Sequence, residues 1–203
     1  MSSSAATVFV VDDELSVRQS LSHLLRAAGL NVAVFDSAQA FLESYDPSAP
    51  GCLVLDLAMP GLNGLELQEA LAVKGSLLPI IFLTGRGDLP SGVKAMKRGA
   101  VDFLAKPVDA ADLIEAVRRG IEKERVARRA DAELKEIRRR LATLTPREYE
   151  VLRHVVSGKL NKQIAADLGT VEKTVKVHRA RVMEKVKAAS LAELVRMAQR
   201  AGI

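Results

Sequence analysis

Val8-Phe9-Val10-Val11-Asp12-Asp13 and Cys52-Leu53-Val54-Leu55-Asp56 decide how this chain folds. Each is a short, continuous apolar run that ends on aspartate. Runs of this kind read as parallel strands buried on both faces of a sheet. The full set covers 7–11, 31–35, 52–55, 80–84 and 101–104. Amphipathic stretches separate the runs, at 16–28, 37–45, 64–74, 92–98 and 110–120. In the first of these Val17, Leu21, Leu24 and Leu25 share one face, and Gly29 closes it. Regular strand–helix alternation gives a doubly wound five-stranded parallel sheet with helices on both faces.

In such sheets ligands sit beyond the carboxyl ends of the strands. Asp12, Asp13, Asp56, Thr84 and Lys106 all fall at or just past those ends. Three carboxylates at one sheet edge repel, and burial raises the cost. A hard divalent cation relieves the repulsion, and Mg²⁺ suits it because it takes few carboxylates and keeps waters or phosphate oxygens. Asp56 can then act as a nucleophile toward phosphorus and become an acyl phosphate. Asp12 and Asp13 would hold the Mg²⁺, while Lys106 and Thr84 serve the other phosphoryl oxygens. Taken singly, a strand-end aspartate reads as a helix cap and Lys106-Pro107 as a turn. The five in order carry the chemistry.

The chain has 203 residues, 48% of them apolar, enough for one or two domains with real cores. No apolar stretch reaches the ~18 residues of a membrane span. The Ser/Ala segment at the N-terminus lacks the features of a signal peptide. The single cysteine, Cys52, excludes a disulfide framework and reads as a small core residue rather than a reactive thiol. A cytoplasmic setting fits. Residues 1–120 hold 10 Lys and Arg against 14 Asp and Glu, a net of −4; residues 121–203 hold 20 against 11, a net of +9. The basic half is a nucleic-acid candidate.

Residues 122–141, EKERVARRADAELKEIRRRL, contain no Pro or Gly. Ile121, Ala127, Leu134, Ile137, Leu141 and Leu144 recur at helical spacings, so the last helix of the first domain continues or restarts here. The segment reads either as a solvated spacer or as a short helical pair between subunits. Thr145-Pro146-Arg147-Glu148 is a capping box with Pro at the first helical position. Tyr149, Val151, Leu152, Val155 and Val156 follow, and Gly158 ends that helix. Further helices are expected at 161–168, 172–186 and from the Ser190…Glu193 capping box to about residue 200. The middle pair has the grammar of a helix-turn-helix. Its inward residues are Ile164, Ala165, Leu168, Val175 and Val182. Its outward face bears Lys173, Thr174, Lys176, Val177, His178, Arg181 and Lys185, with Lys162 on the preceding helix. Lys and Arg on such a helix can read guanine edges or grip phosphates in a major groove. A charged face alone reads equally as a solvated one; the two-helix grammar and the basic half point to DNA. His178 is open between a phosphate contact and a buried partner.

Residues 5–122 resemble the receiver domain of two-component response regulators, through Asp12-Asp13, the loop Asp56-Leu57-Ala58-Met59-Pro60-Gly61-Leu62-Asn63-Gly64, Thr84, Phe103 and Lys106-Pro107. The resemblance implies phosphorylation of Asp56, a metal site of Asp12, Asp13 and Asp56 completed by the Ala58 backbone carbonyl, switch residues Thr84 and Phe103, and a cis Lys106-Pro107 bond. Phe103 otherwise reads as plain core. Residues 142–203 resemble the LuxR/FixJ-type output domain through Leu144-Thr145-Pro146-Arg147-Glu148, Asn161-Lys162-Gln163-Ile164-Ala165 and Lys173-Thr174-Val175-Lys176-Val177-His178. Val171 sits where the family often has a Ser cap, so Thr170 is expected to cap instead. Ala180 sits where some relatives place a basic DNA contact, which leaves more of the reading to Lys176 and Arg181. The expected protein is thus a CheY/flavodoxin-like α/β receiver (1–121), a helical linker (122–141) and an all-α four-helix helix-turn-helix domain (142–203). The resemblance implies a sensor histidine kinase as phosphoryl donor, Mg²⁺ as cofactor, homodimerisation through the face around 89–121, and DNA binding that regulates transcription. RNA polymerase is a further expected partner; a membrane is not. Two rivals are a phosphorylation-independent regulator that uses the receiver as a fixed dimerisation module, and a metal-dependent phosphatase resembling the haloacid-dehalogenase type. The intact acidic site argues against the first. The second needs another aspartate two residues past the nucleophile, where Ala58 stands.

Overall fold

The computed structural model describes residues 6–85 and 89–203; the Ser/Ala segment at the N-terminus lies outside them. The first unit carries five strands, β1 (Thr7–Val11), β2 (Asn31–Phe35), β3 (Gly51–Asp56), β4 (Ile80–Thr84) and β5 (Asp102–Ala105). They form one parallel sheet in the order β2-β1-β3-β4-β5. Register explains the site before any side chain is considered. Val11 pairs with Leu55, so the next residues, Asp12 and Asp56, emerge side by side. Asp56 in turn pairs with Leu83, which brings Thr84 alongside.

Side chains alternate across the sheet with period two. Phe9, Val11, Leu53, Leu55 and Phe82 point to one face and meet Phe41, Leu67 and Leu71 of α2 (Ala38–Ser44) and α3 (Gly64–Val73). Val8, Val10, Val54, Ile81 and Leu83 point to the other, against Leu21 and Leu25 of α1 (Leu15–Ala27) and Leu113, Ala116 and Val117 of α5 (Ala110–Leu141). Every residue of β3 is buried, as a central strand requires. Cys52 is among them, and desolvation pushes its thiol up to about 12. A neutral buried thiol is a core residue and not a nucleophile.

One helix start differs from the sequence expectation, for an identifiable reason. Helix α4 (Leu89–Lys97) starts before Gly92, because Pro90 falls in the first turn, where a missing N–H costs nothing. Helix α5 runs through Gly120 into 122–141, the continuation that the sequence led us to expect. A Cβ at Gly120 would lie 3.2 Å from Cys52 Cβ, so this glycine serves close approach to β3 and not termination. The helix runs on for 32 residues, laced by Arg125–Glu122, Lys135–Asp131 and Arg140–Glu136 pairs at helical spacing. Near residue 128 it is tied to the first unit. The Arg128 guanidinium pairs with buried Glu124 and donates to the Ser48 and Ala49 carbonyls at 2.9 and 3.1 Å.

The chain divides into two compact units between Arg128 and Arg129, inside α5. The second unit adds α6 (Pro146–Val156), α7 (Asn161–Asp167), α8 (Glu172–Val186) and α9 (Leu191–Ala201) to the end of α5. Its core joins Val151, Leu152, Ile164, Val175, Val182, Val186, Leu194 and Met197 with Ile137 and Leu141 of α5. The end of the linker is therefore packed within the second unit, while most of residues 122–136 are exposed. The Thr145/Glu148 capping box forms as expected. At α9, Ser190 caps Glu193, but the Glu193 carboxylate bonds the Ala189 N–H instead of that of Ser190. At α8 the cap residue is Val171, with no side-chain cap bond, so Thr170 does not serve as the cap. Among the described residues no helix is long and apolar enough to cross a membrane.

Candidate functional site

Asp12 is fully buried, Asp56 is 5% exposed and Thr84 is 7% exposed, all at the carboxyl end of the sheet. The Lys106 ammonium reaches in after β5 and lies 2.7 Å from Asp12 Oδ2 and 2.7 Å from Asp56 Oδ1. The peptide bond that follows, Lys106-Pro107, is cis. Backbone donors hold the other carboxylate oxygens. The Glu14 N–H donates to Asp12 Oδ1 at 3.0 Å, and the Ala58 N–H donates to Asp56 Oδ2 at 3.2 Å. Arg18, which sequence reasoning missed, donates to the Asp12 carbonyl at 2.7 Å. Thr84 Oγ1 donates to the Gly85 carbonyl at 3.0 Å rather than to Asp56.

Charge follows from this packing. Burial raises the Asp56 carboxyl above its usual range; the Lys106 hydrogen bond and charge pull it down, and the Asp12 and Asp13 charges push it up. For Lys106, burial opposes the charged form, but bonds to Asp12 and Asp56 outweigh it and the ammonium is held above its usual value. Lys106 stands where the sequence placed a cation.

Asp13 is exposed, while Asp12 and Asp56 are both spoken for by Lys106. Among the described residues no group of three acidic, His or Cys side chains is arranged to hold a metal. The donor set nevertheless fits a hard cation. Three carboxylates against one ammonium leave two negative charges unbalanced, and Mg²⁺ needs only one or two protein carboxylates beside its waters.

Phe103 is half-buried on β5, with its ring centroid 6.4 Å from that of Phe82. It is neither fully core nor fully exposed.

In the second unit, Ile164, Ala165, Val175 and Val182 are buried and Leu168 packs against them, as expected of the inward set. Lys162, Lys173, Lys176, Val177 and Arg181 are exposed; Thr174 and His178 are half-buried. Lys176 lies 3.3 Å from exposed Glu172, a contact that leaves it available. His178 is half-buried, and its Nδ1 is buried with no hydrogen-bond partner among the described residues. Lys185 does not belong to the outward face. Its ammonium lies 2.6 Å from Glu148, whose side chain is nearly fully buried, and it also donates to the Thr143 carbonyl. That correction was hard to read in sequence, because Glu148 was already assigned to the capping box. Also missed was Arg179, which donates to Asn161 Oδ1 at 2.7 Å and locks α8 onto the start of α7.

A parallel sheet with an acidic pocket crossed by lysine, joined to a basic helix-turn-helix, defines a receiver coupled to a DNA-binding module. Residues 8–118 match the family described as the response regulator receiver domain, and residues 142–198 match the luxR family of bacterial regulatory proteins. The chain is 47% identical over 201 residues to nodulation protein W of Bradyrhizobium diazoefficiens, covering 99% of this chain and 88% of that protein. It is 48% identical over 196 residues to transcriptional regulatory protein FixJ of Azorhizobium caulinodans, covering 97% and 93%. The solved structure of response regulator StyR superposes with a TM-score of 0.86 at 45% identity, covering 97% of this chain and 99% of that one. This chain belongs to the two-component response regulators with a LuxR-type DNA-binding domain, and it is a transcription regulator.

Proposed function

We propose that Asp56 accepts a phosphoryl group from a sensor histidine kinase and that this event switches dimerisation and DNA binding. The observation that carries the reading is the Lys106 ammonium set 2.7 Å from both Asp12 and Asp56, beside Thr84 at the strand ends. An Asp56 carboxylate oxygen attacks phosphorus while the bond to the phosphohistidine nitrogen breaks and its electron pair returns to the imidazole. Asp56 needs no separate base when ionised, and Lys106 helps keep it so. Asp12, Asp13 and the Ala58 carbonyl would hold Mg²⁺, which when bound neutralises phosphoryl oxygens. Lys106 then shifts its ammonium toward one phosphoryl oxygen, and Thr84 exchanges its bond to Gly85 for another.

The movement of Thr84 and Phe103 remodels the face around residues 89–121, through which two copies pair. In the dimer, two α8 helices enter successive major grooves about 10 bp apart. Lys162, Lys173, Thr174, Lys176, Val177, His178 and Arg181 supply the DNA surface, with Lys185 supporting it from beneath. The setting is the cytoplasm, and RNA polymerase is the downstream partner. Intact mass after incubation with Mg²⁺ and a small acyl-phosphate donor tests the first step. The wild type gains one phosphoryl group and Asp56→Asn none; equal gain by both would place the acceptor elsewhere.

A further inference from the structure

Gly92 lies buried inside α4, where glycine is a poor helix former. Its packing explains it. A Cβ at this position would stand 2.7 Å from Phe103 Cε1, 3.0 Å from Cδ1 and 3.0 Å from Cζ. The ring therefore rests on the bare helix backbone. Phe103 pairs in register with Phe82, and Ala105 with Thr84, so Phe103 and Thr84 lie two register pairs apart on the same face of the β4–β5 ladder. In this arrangement Thr84 donates to the Gly85 carbonyl and not to Asp56. The seated ring and the Thr84–Gly85 bond occur together in this structure.

We propose that Gly92 is the positioning residue that seats Phe103 in the resting state, so that the missing methyl sets the threshold of the switch. This rests on the Thr84–Phe103 reading above. A methyl at 92 collides with the ring and not with backbone, and a half-buried ring can yield by rotating about its side-chain torsions. The helix survives while the seated state is disfavoured, and the population moves to the other state.

Gly92→Ala, made in the full chain, should displace the Phe103 aromatic resonances without any donor. It should raise the donor-free dimer fraction about fivefold or more, the low end of a typical coupling. In a Phe103→Leu background the same methyl should change the dimer fraction little, because the colliding ring is gone. Unmoved ring resonances, an unchanged dimer fraction, or an equal rise in the Phe103→Leu background would overturn the inference. Failure of the wild type to dimerise with donor would sink the switch reading instead. The two failures are separable, since the resonances report seating with no donor present.

Discussion

Lys106 holds two buried carboxylates apart by standing between them, so its removal should be felt through them. Lys106→Met leaves Asp12 and Asp56 facing each other without a cation. The expected loss of stability in the first unit at pH 7 is about 1–3 kcal/mol, on the scale of leaving a buried charged group unsatisfied. Adding Asp56→Asn to that variant should restore most of it, since the repelling charge is gone; urea unfolding of both variants and the wild type checks the non-additivity. In the second unit, Lys176 and Lys185 look alike in sequence but should behave differently. Lys176→Ala should lower the slope of log K against log salt on duplex DNA by about 0.9, the share of one phosphate contact. Lys185→Ala should leave that slope unchanged and lower the thermal midpoint of the second unit. A fluorescence titration over a salt series, beside thermal melts, separates the two.

Helix ends and helix pairs carry the next scale. The Lys185 hydrogen bond, then the Thr145 backbone bond, hold the Glu148 carboxylate at about 2, against its usual 4.5. A depressed carboxylate contributes stability that is present above its unfolded value and lost as pH falls through its folded one. The second unit should therefore weaken between about pH 4.5 and 2, and Glu148→Gln should flatten that part of the stability profile in acid titrations followed by circular dichroism. Sequence patterns located the elements well because strand runs and caps are local signals. Thr145-Pro146-Arg147-Glu148 is a cap in any context. They located breaks less well because glycine has two meanings. Gly29 and Gly158 end helices in positive φ, whereas Gly92 and Gly120 sit inside helices where a ring or a strand approaches. Only the third dimension tells these apart.

Across the whole molecule, the five parallel strands and the placing of Asp12, Asp56, Thr84 and Lys106 at their carboxyl ends were legible, because strand runs and the residues that end them are local signals. Which carboxylates lysine would claim was not legible, nor was where the second unit begins. Ile137 and Leu141 lie outside residues 142–198, yet both are buried in that unit's core. Leu141→Ala should destabilise the second unit by about 2–5 kcal/mol, and a fragment starting at 142 should melt below one starting at 129. The central claim is that phosphate on Asp56 is what pairs two copies and tightens their hold on DNA. Sedimentation velocity of the full chain with Mg²⁺, duplex DNA and an acyl-phosphate donor, beside Asp56→Asn, tests it most directly. The wild type alone should pass from monomer to dimer and bind DNA more tightly at fixed salt. A dimer formed equally by Asp56→Asn, or a phosphorylated wild type that stays monomeric with unchanged DNA affinity, would contradict it.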